Sequence, residues 1–134
     1  MACLIVGDSI ALGIHSHAPG CRALAHKGWS SARWQDHYRT TQLDADRVLI
    51  SLGSNDGRGD TLARIEAVRA HVKAQQVIWV VPACNARAAA AVLALARRYG
   101  DGVVRIGALS PDGIHPTGRE YGRMARRSGI ARAA

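Results

Sequence analysis

The stretch RVLISLGSND, residues 47–56, decides how this chain reads. Residues 47–52 form a short apolar run that Gly53 closes, the pattern of a buried strand ended by a turn. Working outward, residues 76–81 repeat the pattern and stop at Pro82. Residues 3–6 and 102–106 are shorter candidates, and residues 22–25, between Gly20 and Gly28, are the weakest. Helical patterns fill the gaps at residues 9–15, 30–38, 61–74, 86–99 and 116–127. In the third of these, Leu62, Ile65, Val68, Arg69 and Val72 fall near one face, and Asp60 is placed to cap its start. Strands alternating with helices imply parallel pairing through right-handed crossovers. The predicted fold is therefore α/β, a three-layer α/β/α sandwich with a five-stranded parallel sheet. In such open sheets ligands sit beyond the carboxyl ends of the strands.

Composition agrees with one domain spanning residues 1–134. The chain is 48% hydrophobic and 21% charged, so disorder is excluded. Phe is absent, so Val, Ile, Leu, Ala and Trp must fill the core. The formal charge is +8, carried mainly by Arg. These Arg are spread from Arg22 to Arg132 rather than gathered in a recognition stripe, which argues against nucleic-acid binding as the main role. No run approaches the roughly 20 apolar residues of a membrane span. Cys3, Cys21 and Cys84 lack the close spacing of a zinc or redox motif and read as buried free thiols. The N-terminus lacks a signal-peptide pattern, and a cytoplasmic protein with reduced thiols is the simplest expectation.

Four turns, each at a predicted strand end, carry the chemistry. Gly7-Asp8-Ser9 sets a serine at the mouth of a helix, where free N–H groups and the helix dipole favour developing negative charge; taken alone, it reads first as an N-cap serine after a turn glycine. Asp112-Gly113-Ile114-His115-Pro116 can set a carboxylate against imidazole Nδ1 and leave Nε2 facing a nucleophile, with Pro116 starting the last helix. Alone it is a turn with a capping Asp. Gly53-Ser54-Asn55-Asp56 can aim the Asn55 amide into the edge crevice. In Gly28-Trp29-Ser30 the Gly28 N–H can approach a ligand because no Cβ obstructs it.

Together the blocks GDSI, GWS, GSND and DGIHP, in that order and bracketing residues 7–116, resemble those of the SGNH hydrolases, also called GDSL esterases and lipases. The resemblance implies a flavodoxin-like sheet and ester hydrolysis with Ser9 as nucleophile, His115 as general base and then acid, and Asp112 orienting His115. It implies an oxyanion hole of the Ser9 N–H, the Gly28 N–H and the Asn55 side chain. Two positions depart from the pattern: Ile10 replaces a frequent Leu, and Ser31 a frequent Gly. The reaction calls for no metal or organic cofactor. The expected substrate is a small acyl ester, acetyl on carbohydrate being one form. The alternatives are a lysophospholipase or thioesterase, and a non-catalytic binding module on the same fold.

Trp29, Arg58, Asn85 and Arg87 follow strand ends and are candidates to line the substrate pocket. The other histidines share no spacing with a ligand set and read as surface or helix residues. Arg58-Gly59-Asp60 reads as a loop leading to a helix cap rather than an adhesion motif. Arg119, Arg123, Arg126 and Arg127 give the last helix a basic face, read first as solvated and second as a weak contact for anionic surfaces. Oligomeric state is not encoded in any of these features.

Overall fold

A computed structural model describes residues 2–133. Its elements run β1 Cys3–Gly7, α1 Ser9–His15, β2 Arg22–Ala25, α2 Ser31–Tyr38, β3 Leu43–Asp44, β4 Arg47–Ser51, α3 Thr61–Arg69, β5 Val72–Lys73, β6 Gln76–Val80, α4 Ala86–Tyr99, β7 Gly102–Val104, α5 Gly118–Arg127 and α6 Ile130–Ala133. Five strands form one sheet in the order β2-β1-β4-β6-β7, every pair parallel. The predicted α/β class and five-stranded parallel sheet are present.

Side-chain alternation along the strands separates two cores. Leu4 and Val6, Val48 and Ile50, and Val77 and Trp79 face one side, where they pack with Trp34, Ile65, Val68, Val92 and Leu95 from α2, α3 and α4. Cys3 and Ile5, Leu49, and Ile78 and Val80 face the other, against Ile10 and Ile14 of α1, Met124 of α5 and Ile130 of α6. Burial on both faces explains why the strands read as unbroken apolar runs. Helices α1 and α5 touch closely because glycine stands at the contact: a Cβ on Gly13 would come within 2.3 Å of the Tyr121 ring.

Several expectations need correction. The helix expected over residues 61–74 ends at Arg69, and the chain turns into β5. Val72 pairs with Leu43 in a small second sheet, and both side chains enter the core beside Val68. Apolar spacing continued the helical pattern while backbone pairing ended the helix. Pro116 does not start the last helix: Thr117 is its N-cap, and Pro116 lies in an antiparallel bridge with Leu109.

The thiols are corrected as well. Cys3 and Cys21 form a disulfide across 18 positions of sequence. Strands β1 and β2 pair with Leu4 opposite Arg22, so the residue before each comes face to face. Only Cys84 is free, and it is exposed rather than buried.

Candidate active site

The carboxyl ends of β1, β4 and β7 gather the site. Gly7 ends β1 with φ +141°, and a Cβ there would lie 1.9 Å from the Ser51 carbonyl oxygen, so only glycine lets β1 and β4 close at this point. Asp8, not Ser9, caps α1: its Oδ1 accepts from the N–H groups of Ile10 and Ala11 and from the Ser51 hydroxyl. Ser9 is the first residue of the helix. Its hydroxyl is thereby spared from capping, and its N–H is among those with no acceptor inside the helix.

The loop after β7 brings the partners. Ser110 N–H donates to the His115 carbonyl and Thr117 N–H to the Ala108 carbonyl, pinching the loop on either side of the Leu109–Pro116 bridge. Within the pinch, Asp112 Oδ1 accepts from the Ser110 hydroxyl and from the N–H groups of Ile114 and His115 at 2.8–2.9 Å. Its Oδ2 lies 2.6 Å from His115 Nδ1, and His115 Nε2 lies 2.9 Å from Ser9 Oγ. The hydrogen bond from His115, aided by these N–H groups and Ser110, holds the Asp112 carboxyl well below the usual range. An ionised Asp112 requires a proton on Nδ1, which leaves Nε2 free to accept from Ser9. Ser9, His115 and Asp112 thus form one continuous chain of hydrogen bonds, as the sequence predicted.

Gly28 and Asn55, the expected donors, stand on loops that are tied to this edge and to each other by a different route. His26 N–H donates to the Gly7 carbonyl, which sets the loop after β2 beside the start of α1. Asn55 Nδ2 donates to the Trp29 carbonyl at 3.1 Å, tying the loop after β4 to the segment that carries Gly28. Gly28 has φ +79°. Asn55 retains a second amide hydrogen.

Sequence reasoning missed the residues that hold these loops. Asp56 accepts from Ser31 N–H, Ser31 Oγ and Thr61 Oγ1, so it fixes the starts of α2 and α3 together. Ser31, where the resembling pattern has a frequent Gly, thus ties the end of the Trp29 loop to Asp56. His26 stacks on Trp29 with centroids 3.8 Å apart and bonds Tyr38 through Nε2, so it is a support and not a free surface histidine. Its neighbours in sequence, spaced as they are in Gly28-Trp29-Ser30, held no signal of this stack.

The pocket candidates divide. Trp29 lies on the loop that Asn55 ties down, with the Arg33 guanidinium 4.6 Å from its ring centroid. Asn85 instead caps α4 and donates to the Gly57 carbonyl, while Arg87 donates to the Arg58 carbonyl. These three brace the turn after Asn55 and line, through Arg87, a groove of about 370 Å³ between α3 and α4. Asp60 caps α3 as expected. The centre itself is an open shelf: the His115 and Asp112 side chains are 39% and 45% exposed.

The basic face of α5 is less free than its sequence implied. Glu120 is fully buried, and accepts from Gly107 N–H, Arg123 and Arg127. Burial raises its carboxyl pKa, but the Gly107 bond and the two guanidinium groups outweigh burial and leave it below the ordinary value. No helix among the described residues is long and apolar enough to cross a membrane.

The chain matches no protein-family model and no curated protein. Fold and site define a class: an α/β protein with a parallel five-stranded sheet and a Ser-His-Asp hydrogen-bond chain at its carboxyl edge.

Proposed function

We propose that this chain is a serine esterase of the SGNH type, acting on small acyl esters such as acetyl groups on carbohydrate. One observation carries the reading: Ser9 Oγ, His115 and Asp112 are joined end to end by hydrogen bonds of 2.9 and 2.6 Å. That arrangement is what nucleophilic acyl transfer requires.

In the reaction His115 Nε2 takes the Ser9 proton as Ser9 Oγ bonds to the ester carbonyl carbon. The carbonyl electron pair moves to oxygen, where the Ser9 N–H, Gly28 N–H and Asn55 amide stabilise it. Collapse breaks the bond to the alcohol oxygen, which leaves with the proton held by His115. Water then attacks the acyl-Ser9 carbonyl while His115 takes its proton, and the second collapse releases the acid and returns a proton to Ser9 Oγ. Asp112 stays ionised throughout and stabilises the imidazolium formed in each half.

The open shelf supports a short acyl group or a carrier-borne ester over a long chain drawn into a tunnel. The Cys3–Cys21 bond supports a working place outside a reducing cytoplasm, since such bonds persist in oxidising surroundings. A fluorophosphonate probe should label Ser9, with p-nitrophenyl acetate cleaved faster than longer esters. Rising activity with chain length would favour the lysophospholipase or thioesterase reading. Absence of both labelling and turnover would favour a binding module.

A further inference from the structure

Exposed arginines stand on both faces of the sheet, and the faces differ in where their carboxylates lie. On the side of α2, α3 and α4, Asp36 pairs with Arg64, Glu66 with Arg98 and Asp101 with Arg69, while Arg33, Arg39, Arg87 and Arg97 are exposed and make no ion pair among the described residues. On the side of α1 and α5, Asp8 and Glu120 are buried, and Asp112 is bound to His115. Arg119 and Arg126 are exposed there and make no ion pair among the described residues. Arg123 and Arg127 share the one Glu120 carboxylate. The face is therefore cationic, and among the described residues no exposed carboxylate offsets it away from the site.

Its upper rim is the catalytic edge, and there aliphatic side chains are exposed. Leu12 is 38% exposed one helical turn beyond Ser9; Leu109 and Ile114 are 42% and 37% exposed on the loop that carries Asp112 and His115. Helices α1 and α5 lie side by side, Gly13 against Tyr121 and Gly122 against His17, so the two groups are parts of one surface. A lone exposed leucine means little, but aliphatics around a reactive centre, continuous with an Arg-rich face, match an amphiphilic anionic interface. An anionic polymer would satisfy the guanidinium groups and leave the aliphatics without a purpose.

We propose that the α1–α5 face docks this protein on an anionic lipid bilayer, with the Arg residues on headgroups and Leu12, Leu109 and Ile114 at the acyl boundary, so that esters at that surface meet Ser9. Only the last clause rests on the esterase reading. Docking itself needs no catalysis.

The test is binding of the full chain to phosphatidylcholine vesicles with and without phosphatidylglycerol, at low and high salt. Binding is expected only with phosphatidylglycerol, weakening as salt rises. Arg119→Gln and Arg126→Gln, which leave Glu120 its partners, should each weaken it about fivefold, following the general worth of a basic residue near an anionic surface. Arg97→Gln on α4 should not change it. Leu12→Ser with Leu109→Ser should weaken it further at high salt, where insertion outlasts charge. Equal binding to both vesicle types, or no effect of the Arg119 and Arg126 variants, overturns the proposal. So does binding of polygalacturonate without vesicle binding, or vesicle binding indifferent to the leucines. An inactive chain that binds vesicles in the expected way overturns the esterase and leaves the docking face standing; an active chain that does not bind does the reverse.

Discussion

Ser9 Oγ and His115 Nε2 lie 2.9 Å apart although 106 residues separate them in sequence. Ser9 follows β1, an interior strand one place from the β2 edge, whereas His115 follows β7 at the opposite edge. The gap between β1 and β7 is spanned by the pinched loop before α5 and by the packing of α5 on α1. The loop also delivers Asp112 already engaged, since its N–H contacts to Ile114 and His115 are local.

Ser9, His115 and Asp112 should act as one unit in ester hydrolysis. His115→Ala should lower turnover by orders of magnitude and Asp112→Asn should cost less or comparably, through loss of the tautomer that exposes Nε2. In the double variant the losses should overlap rather than multiply. Steady-state kinetics on p-nitrophenyl acetate measures this, and a loss equal to the product of the single losses would separate the two residues mechanistically.

Asn55→Ala should reduce turnover about 100- to 1000-fold, the usual cost of one oxyanion donor, corresponding to about 2.7–4 kcal/mol. The side chain also bonds the Trp29 carbonyl, so thermal unfolding must be measured alongside. Normal stability with near-normal turnover and only a raised KM would make Asn55 a loop tie and no donor.

Asp8 should make stability depend on pH. Burial, the largest influence, outweighs the Ser51, Ala11 and Ile10 hydrogen bonds and pushes its pKa from 3.8 up to about 6. The folded protein keeps this proton where the unfolded chain has lost it, so the contribution is complete below pH 3.8 and lost as pH rises through about 6. A gap of roughly two pK units corresponds to about 3 kcal/mol. Asp8→Asn retains a capping oxygen but has no proton to release. Urea unfolding of the variant should therefore change less between pH 4 and pH 7 than that of the wild type; parallel curves would show that the Asp8 charge carries no such penalty.

Removing the disulfide should weaken the fold without touching the site. Replacing Cys3 and Cys21 by Ser opens a crosslink 18 residues long, which by chain entropy costs about 3 kcal/mol. Urea unfolding of the variant should match that of the reduced wild type and fall below the oxidised protein. An unchanged midpoint on reduction would show that the bond does not form.

The sequence by itself determined what depends on local order. Apolar runs closed by Gly53 and Pro82 marked β4 and β6, shorter or weaker runs marked the other strands of the main sheet, and β2 and α4 begin and end where the pattern placed them, because burial on both faces and helix periodicity are written in neighbouring residues. The residues of the Ser9, Asp112 and His115 chain were legible for the same reason: each stands in a turn whose position follows from its strand. Tertiary structure decided what depends on register and on partners far along the chain. The pairing of Leu4 with Arg22 brought Cys3 to Cys21, and Val72 left its helix because Leu43 offered a strand. Asp8 took the cap expected of Ser9 because Ser51, across the sheet, supplied a further donor to its carboxylate. Glu120 drew in Arg123 and Arg127 once burial had denied it water. Backbone pairing and desolvation act between segments that sequence separation hides, so they fixed these features only when the sheet closed.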